Sequence, residues 1–295
     1  MAEIEIKKEN WCYRIINSYE QFLKENGNEL KDLYKNEKEI KDNIEIEIND
    51  KKMLFCYYYK FMKKGKYKIK YTLKNKNSNK LNHIFSGCSF LTNIDLSYFN
   101  TQNVTNMSYM FSGYSSLTNI DLSNFNTQNF IVMSSIFNEC SSLTNIDISN
   151  FNTQNVSDMS SIFKGCSSLT NIDLYNFNTQ NVTDISFIFN KCSLLTNIDL
   201  SKFNTQNIIV MSSIFRGCSS LTNIDLSNFN TQNVIVMSSM FNGCSSLTNI
   251  DLSNFNTQCY WYELCGCPSF NYIDLSNFNT KNVIFWILCS MNACY

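Results

Sequence analysis

The feature that most constrains this chain is a repeat of 26 residues. The segment LTNIDLSNFNTQN, or a close variant of it, begins at seven leucines with that spacing: Leu91, Leu117, Leu143, Leu169, Leu195, Leu221 and Leu247. A degenerate copy, FNYIDLSNFNTKN, begins at Phe270. A unit of this length cannot bury its own apolar face, so such units stack on one another as coils. The sequence therefore predicts a solenoid of about eight coils over residues 83–283.

The first half of each copy predicts a short strand. Leu, Ile and Leu alternate with polar residues, as at Leu221, Ile224 and Leu226, so the apolar side chains point inward. A phenylalanine follows in every copy, and we expect these rings to pack on one another as an aromatic ladder: Phe99, Phe125, Phe151, Phe177, Phe203, Phe229, Phe255 and Phe278.

The second half of each copy predicts a short helical or 3₁₀ turn on the back of the coil. Its apolar residues are three or four positions apart, as at Val104, Met107, Met110 and Phe111. A recurring glycine, for example Gly165, suits the left-handed residue that ends the turn. The asparagines after the strand, such as Asn126 and Asn129, are expected to satisfy backbone groups of their own and neighbouring coils.

A small α+β domain is predicted before the repeats, over residues 1–82. Apolar spacing predicts a helix that begins after Asn10 and ends before Gly27: Trp11, Ile15, Ile16, Tyr19, Phe22 and Leu23. A second short helical turn is predicted at Leu30, Leu33 and Tyr34. Alternating residues then predict a three-stranded meander at 44–48, 53–61 and 66–74, with Gly65 before the last strand. Residues 284–295 are predicted to form a degenerate C-terminal cap.

Charge is distributed unevenly along the chain. Residues 1–83 carry 19 Lys and Arg against 13 Asp and Glu, whereas residues 84–295 carry 5 against 12. One face of the last predicted strand forms a lysine strand, defined by Lys66, Lys68, Lys70 and Lys74. This strand has two interpretations: a patch for an anionic partner such as a membrane, or a solvated edge neutralised by Glu45 and Glu47. No nucleic-acid partner is expected.

The motif LxxIDLSNFNT followed by VxxMSxMFxGCSSL resembles the BspA-like leucine-rich-repeat surface proteins, over residues 82–257 and less closely over 267–283. The resemblance implies a leucine-rich-repeat-like solenoid with one parallel strand per coil. It also implies adhesion or other protein–protein contact, often at a cell surface. The chain itself begins without an apolar signal segment and has no stretch long enough to span a bilayer, so its expected location is the compartment of synthesis.

The candidate binding surface is the outward face of the predicted strands, which would line the concave side of the solenoid. We name it the Asn–Asp face: Asn93, Asp95, Asn119, Asp121, Asn145, Asp147, Asn171, Asp173, Asn197, Asp199, Asn223, Asp225, Asn249, Asp251 and Asp274. Carboxylates about 4.8 Å apart repel one another. We expect relief from neighbouring Thr, Asn and Ser side chains, or from a cationic partner or weakly bound Ca²⁺.

The Asn–Asp face is nearly uniform, and variation between copies falls behind it, at the pair that follows the Val and at the pair that precedes the Cys. The pairs after Val are Thr105-Asn106, Ile131-Val132, Ser157-Asp158, Thr183-Asp184 and Ile209-Val210. The pairs before Cys are Ser112-Gly113, Asn138-Glu139, Lys164-Gly165, Asn190-Lys191 and Arg216-Gly217. A uniform face suits a repetitive ligand, avidity from many equal contacts, or recent duplication without selection, and the sequence does not separate these three.

Cysteine recurs at one repeat position, and we expect these residues to be buried thiols: Cys88, Cys140, Cys166, Cys192, Cys218, Cys244 and Cys267. A residue every 26 positions is not zinc-ligand spacing, and a further cluster (Cys259, Cys265, Cys267, Cys289 and Cys294) gives only weak evidence for a metal. The chain has one histidine, His83, with no nucleophile pattern around it. No cofactor, metal or catalytic residue is predicted.

These observations predict a non-enzymatic interaction or adhesion protein that binds a protein partner through the Asn–Asp face. The alternative function is a membrane-peripheral or intracellular scaffold docked by the lysine strand.

Overall fold

A computed structural model describes residues 1–27, 35–74, 79–96 and 99–255, together with the backbone of three short strands at 261–263, 272–274 and 285–287. Several predictions lie outside the described residues. They are the helical turn at Leu30, Leu33 and Tyr34, the last phenylalanine Phe278, the C-terminal cysteines from Cys259 onward and the cap at 284–295. The side chains of Asn93 and Asp274 also lie outside. The domain bounds stay predictions.

The described elements are two short helices and eleven strands, and most strand pairs are antiparallel. In chain order they are β1 (Ala2–Ile6), β2 (Trp11–Arg14), α1 (Tyr19–Asn26), α2 (Glu37–Asn43), β3 (Ile44–Ile48), β4 (Lys51–Met53), β5 (Tyr58–Phe61), β6 (Gly65–Leu73), β7 (Leu91–Ile94), β8 (Asn249–Asp251), β9 (Trp261–Glu263), β10 (Tyr272–Asp274) and β11 (Phe285–Ile287).

The largest sheet has five strands in the order β4-β3-β6-β1-β7. The predicted strands at 44–48 and 66–74 are confirmed as β3 and β6, because isoleucines and tyrosines alternate into the core while charged residues face outward. The strand β1 was not predicted, although its sequence Ala-Glu-Ile-Glu-Ile alternates in the same way as β3. It lies between β6 and the first repeat strand, β7, and is antiparallel to both.

The helix predicted to begin after Asn10 is wrong over its first half. Residues Trp11–Arg14 form β2, which pairs with β5. The helix α1 begins later, where the Ser18 side chain accepts a hydrogen bond from the Gln21 amide at 3.1 Å, and it ends at Gly27 as predicted, with φ of 70°. Local apolar spacing fitted a helix, but pairing with a distant strand decided the conformation.

The long strand predicted at 53–61 is also wrong, and so is the three-stranded meander built on it. The structure places β4 at the edge of the large sheet and β5 in a separate two-stranded sheet with β2. Residues between them take no regular structure, and Leu54 is 90% exposed. An apolar run was therefore no evidence for one central strand.

In the repeat region, each copy stacks on the next with an offset of 26 residues. Parallel bridges connect equivalent residues in an unbroken series: Lys80, Asn106, Val132, Asp158, Asp184, Val210 and Val236. The expected parallel strand at every LTNIDL segment is wrong for the central copies. At that segment, strands form only as β7, which is antiparallel to β1, and as the parallel pair β8 and β10. The central segments share about one backbone bond per copy, such as Thr144 N–H to Thr118 O at 3.1 Å.

The back of each coil is a run of tight turns rather than a helical turn. Amides alternate between two acceptors: Tyr109 N–H donates to Ser134 O in the next coil, whereas Met110 N–H donates to Met107 O within its own coil. The alternation requires two left-handed residues per coil, here Tyr109 with φ of 58° and Gly113 with φ of 71°. The predicted left-handed glycine is confirmed, and the left-handed residue four positions before it prevents a continuous helix.

An aromatic ladder is present, but in a different column from the predicted one. Seven rings stack with centroids 5.6–5.9 Å apart and planes within 12° of parallel: Phe85, Phe111, Phe137, Phe163, Phe189, Phe215 and Phe241. In the predicted column the rings from Phe99 to Phe255 are buried, and Phe229 and Phe255 are in ring contact at 6.4 Å. In the run of tight turns, which we name the turn run, neighbouring coils share about four backbone hydrogen bonds, against about one at the LTNIDL segments. Equivalent residues are therefore held closer together in the turn run, and the rings stack there.

The N-terminal part of the chain caps the first coil. In the run of tight turns, carbonyl groups of each coil accept bonds from the preceding coil, so the first coil has acceptors at Asn82, Ile84 and Ser86 that no repeat can satisfy. The backbone N–H of Asn17 donates to Ile84 O at 2.8 Å, and its side-chain Nδ2 donates to Ser86 O at 2.9 Å. The Asn36 Nδ2 donates to Asn82 O at 2.5 Å. Both asparagines are buried and substitute for a missing coil.

Replacing Asn17 with alanine should lower the free energy of unfolding by about 1–3 kcal/mol, because the Ser86 carbonyl would be buried without a donor. Urea denaturation measures this loss. The matched control is Asn126→Ala, at an exposed asparagine that bonds the Gln128 amide, and it should cost less. Equal losses in the two variants would contradict a special capping role.

Replacing Glu139 with glycine should stabilise the protein by about 1 kcal/mol, because Glu139 occupies a left-handed position that most other coils fill with glycine. The same denaturation experiment applies, with Lys164→Gly as the control. Lys164 is not left-handed, so its glycine variant should lose stability. A shift of both variants in one direction would refute the argument.

Candidate functional site

The described side chains of the Asn–Asp face form an exposed polar row with one Asn and one Asp from each copy. Asparagines on successive coils, such as Asn145, Asn171 and Asn197, are all exposed. Backbone bonds hold the coils in register, so the row is fixed by the scaffold rather than by contacts among its own side chains. This arrangement can present the same polar groups many times to a partner.

The aspartates of this face have a structural function in their own turns. Asp121 Oδ1 accepts the Ser123 amide at 2.9 Å and Asp147 Oδ1 accepts the Ser149 amide at 3.0 Å, and later copies repeat the bond. Hydrogen bonds from the side chain and backbone of these serines lower the pKa of Asp121 and Asp147. Repulsion between the stacked carboxylates was expected to be relieved either by neighbouring polar groups or by a cation. The structure shows the first of these, hydrogen bonds from nearby serines.

A threonine column joins the coils and was missed from the sequence. Thr101 Oγ donates to Asn126 O at 3.0 Å and accepts the Asn126 amide at 2.8 Å. The threonines are buried, and the bond pair recurs in later copies. The signal was the invariant Thr in every NFNT segment. The asparagines satisfy backbone groups of a neighbouring coil, as predicted, since Asn129 Nδ2 donates to Gln102 O of the preceding coil at 2.7 Å.

The cysteines are buried free thiols, as predicted, for the six members that the structure describes: Cys88, Cys140, Cys166, Cys192, Cys218 and Cys244. Cys140 Sγ donates to Phe111 O of the preceding coil at 3.1 Å. Burial raises the pKa of the five thiols from Cys88 to Cys218, which makes the reactive thiolate unfavourable. Within the described residues, no group of His, Cys, Asp and Glu side chains is placed to hold a metal ion.

The lysine strand is exposed, and every lysine has a carboxylate partner across the sheet. The pairs are Lys66 with Glu5, Lys68 with Glu3, Lys70 with Glu47 and Lys74 with Glu45. Lys70 and Lys74 form ion pairs at 3.2 and 2.8 Å. Two of the four glutamates come from β1, so the sequence interpretation counted only half of the neutralising charge. Across the part of the chain that is described, no helix is long and apolar enough to cross a membrane.

The histidine lies inside the junction between α1 and the first coils. Its ring stacks on Tyr109 with centroids 4.7 Å apart and also contacts Phe22 and Tyr19. Burial lowers the pKa of His83 to about 3. Its Nε2 is buried and has no hydrogen-bond partner among the described residues. A neutral imidazole enclosed by rings, away from any nucleophile, suits packing rather than acid–base chemistry.

Comparison with known proteins assigns the repeats to a family. The family described as Mycoplasma protein of unknown function, DUF285, matches residues 79–194 and 166–263, which together exceed half of the chain. The chain belongs to this family, in agreement with the resemblance that the repeat motif carries. No curated protein matches the chain.

Two solved structures are remotely similar. A leucine-rich cell surface protein from Faecalibacterium prausnitzii A2-165 has 15% identity and a TM-score of 0.18, covering 59% of this chain and 77% of its own. The functional domain of InlJ from Listeria monocytogenes, described as including a cysteine ladder, has 15% identity and a TM-score of 0.16. That match covers 63% of this chain and about half (51%) of the InlJ domain.

Acid should destabilise the protein through His83. Its folded pKa lies below the unfolded value of 6.5, so stability is complete above pH 6.5. As the pH falls from 6.5 toward 3, the unfolded chain binds a proton that the folded chain excludes, which costs up to about 1.4 kcal/mol per pH unit. Most carboxyl groups titrate below about pH 5, so the change in the free energy of unfolding between about pH 5 and 6.5 reports mainly on His83.

The matched variant is His83→Phe, which follows the chain's own use of Tyr109 and Phe187 in the same left-handed column. Denaturation midpoints measured across this pH range should decline for the native chain and stay flat for the variant. An identical decline in both proteins would contradict the assignment to His83.

Proposed function

We propose that this chain is a non-enzymatic protein–protein interaction or adhesion-type repeat protein, built as a leucine-rich-repeat-like solenoid. Its partner is a protein, bound through the Asn–Asp face. The observation that carries the proposal is the exposed row of one Asn and one Asp per coil, held by backbone bonds between neighbouring coils. A surface that repeats one weak contact gains affinity through avidity when its partner is also repetitive.

Two further observations support a binding function over a catalytic one. Among the titratable groups whose pKa is strongly shifted, the thiols from Cys88 to Cys218 and His83 are buried in the packing. The exposed aspartates of the Asn–Asp face from Asp121 to Asp251 each accept the backbone amide two residues further on, which belongs to a serine in every copy except at Asp173, where Tyr175 donates. Placement at a cell surface is the corresponding proposal from the BspA-like resemblance.

The lysine strand stays the alternative docking site. Its four glutamate partners oppose an electrostatic attraction to an anionic membrane, because the field of each lysine is reduced by a carboxylate on the neighbouring strand. The charge balance therefore favours the Asn–Asp face.

The proposal is tested by changing the face without changing the fold. The full chain is immobilised, and proteins of the source cell or its contact surfaces that bind it saturably are identified after crosslinking. The variant Asn145→Lys, Asn171→Lys, Asn197→Lys should lose these proteins. The matched control carries the same charge change on another exposed edge, as Gln154→Lys, Gln180→Lys, Gln206→Lys, and should retain them. Loss in both variants, or no saturable partner, would refute the proposal.

Deleting residues 143–220 removes three whole copies and rejoins the repeat in register. For a multivalent partner the deletion should weaken binding without abolishing it, because the remaining coils keep equal contacts. Complete loss would instead indicate one tailored site.

A further inference from the structure

A second surface, separate from the Asn–Asp face, runs along the coils, and it differs from coil to coil. We name it the outer ladder: the pairs Thr105-Asn106, Ile131-Val132, Ser157-Asp158, Thr183-Asp184, Ile209-Val210 and Ile235-Val236. The second residue of each pair belongs to the unbroken series of parallel bridges. A continuous series of backbone bridges therefore carries side chains that change from coil to coil.

Three rungs of the outer ladder expose large apolar side chains. Ile131, Ile209 and Ile235 are 48%, 41% and 57% exposed, and Val236 is 42% exposed. The same positions hold Thr105, Ser157 and Thr183 in other coils, so the scaffold does not require isoleucine there. At the Ile131 end, a surface groove of about 460 Å³ lies alongside, lined by Asn103, Thr105, Asn129, Ile131 and Asn155.

The two rungs between the apolar ones are acidic. Asp158 and Asp184 are bridge neighbours and therefore lie about 4.8 Å apart. Each uses Oδ1 to accept a serine amide, from Ser160 at 2.9 Å and from Ser186 at 2.7 Å. Two like charges side by side favour a partner that brings positive charge to the middle of the ladder. From Ile131 to Ile235 the surface reads apolar, acidic, acidic, apolar, apolar.

The spacing of the rungs matches the turns of an α-helix. Five rungs from Ile131 to Ile235 span about 19 Å at ~4.8 Å per coil, and a helix rises about 21 Å between its residues i and i+14. Helix positions i, i+4, i+7, i+11 and i+14 lie on one face, so each would meet one rung. The ladder is also preorganised, since Ile209 N–H donates to Thr183 O and Ile235 N–H to Ile209 O, at 2.8 and 2.9 Å.

We propose that the outer ladder is a docking surface for an amphipathic helix of a partner protein, whose contact face reads apolar, basic, basic, apolar, apolar on successive turns. The inference rests on the proposed interaction function and names the chemistry of a partner. The Asn–Asp face would supply repeated weak contacts, whereas the outer ladder supplies register and selectivity, because its rungs are not equivalent.

The probe is a labelled alanine-based helical peptide with Leu, Lys, Lys, Leu and Leu at positions i, i+4, i+7, i+11 and i+14. Its control carries Glu in place of both Lys. Fluorescence anisotropy with the full chain at low salt should show about tenfold tighter binding of the lysine peptide, since two attractive charge pairs replace two repulsive ones. Salt should reduce the difference.

The test variants use residues that other coils already have at the same repeat positions. Asp158→Asn, Asp184→Asn keeps the turns, because Asn106 accepts the Ser108 amide in the same column at 2.9 Å, and it should abolish the preference for lysine. Ile209→Thr, Ile235→Thr follows Thr105 and Thr183 and should weaken both peptides about equally. The control Asp121→Asn, Asp147→Asn removes the same charge from the Asn–Asp face and should leave the preference intact.

The inference is overturned if the two peptides bind equally, or if the Asn–Asp control loses the preference as much as the ladder variant. It is also overturned if sedimentation shows that Ile209→Thr, Ile235→Thr dissociates a dimer, since a second copy would then occupy the ladder. In these cases, a protein partner lost by the three Asn→Lys substitutions would still support the proposed function, so the two failures are distinguishable.

Discussion

Backbone hydrogen bonds between residues 25 positions apart, one on each of two neighbouring coils, hold the repeat region together. Each joint between coils in the turn run uses about four such bonds, for example from Met107, Tyr109, Phe111 and Gly113 to the next coil. Identical copies can then align identical side chains, so stacked phenylalanines, buried thiols and paired threonines all follow from one register. A change that alters the spacing would disturb every column at once, which explains why the copies keep the same length.

The same polarity creates a problem at the start of the stack. Carbonyl groups that point backward need donors, and the N-terminal part of the chain provides them through Asn17 and Asn36 while β1 pairs with the first repeat strand. The Met1 amino group adds a bond to the Asp95 carbonyl. The N-terminal part of the chain therefore donates and accepts hydrogen bonds in the place of a further coil. Because His83 is buried at this junction, we expect acid to destabilise the capped end.

The surfaces divide into a uniform part and a variable part. The Asn–Asp face repeats because its aspartates from Asp121 to Asp251 each accept the backbone amide two residues further on, a structural requirement that these coils share. The outer ladder can vary because its backbone carries the bridges, so the contacts between coils there depend little on which side chain is present. The uniformity of the Asn–Asp face thus has a structural cause in addition to the avidity that we propose for it. Variation between coils on a shared backbone is the signal for selectivity.

The sequence by itself determined the repeat, its register, the buried cysteines, the left-handed glycine and the strands β3 and β6, because each depends on local pattern or on comparison of one copy with the next. Only the tertiary structure decided the rest. Residues 11–14 became a strand because β5 lies beside them, and the aromatic ladder formed at Phe111 because the turn run is the tightest joint. The central LTNIDL segments remained outside regular strands, and Glu3 and Glu5 lie opposite Lys68 and Lys66 because β1 inserts between β6 and β7. Those outcomes depend on which distant segments share hydrogen bonds, and local periodicity carries no information about the choice of partner.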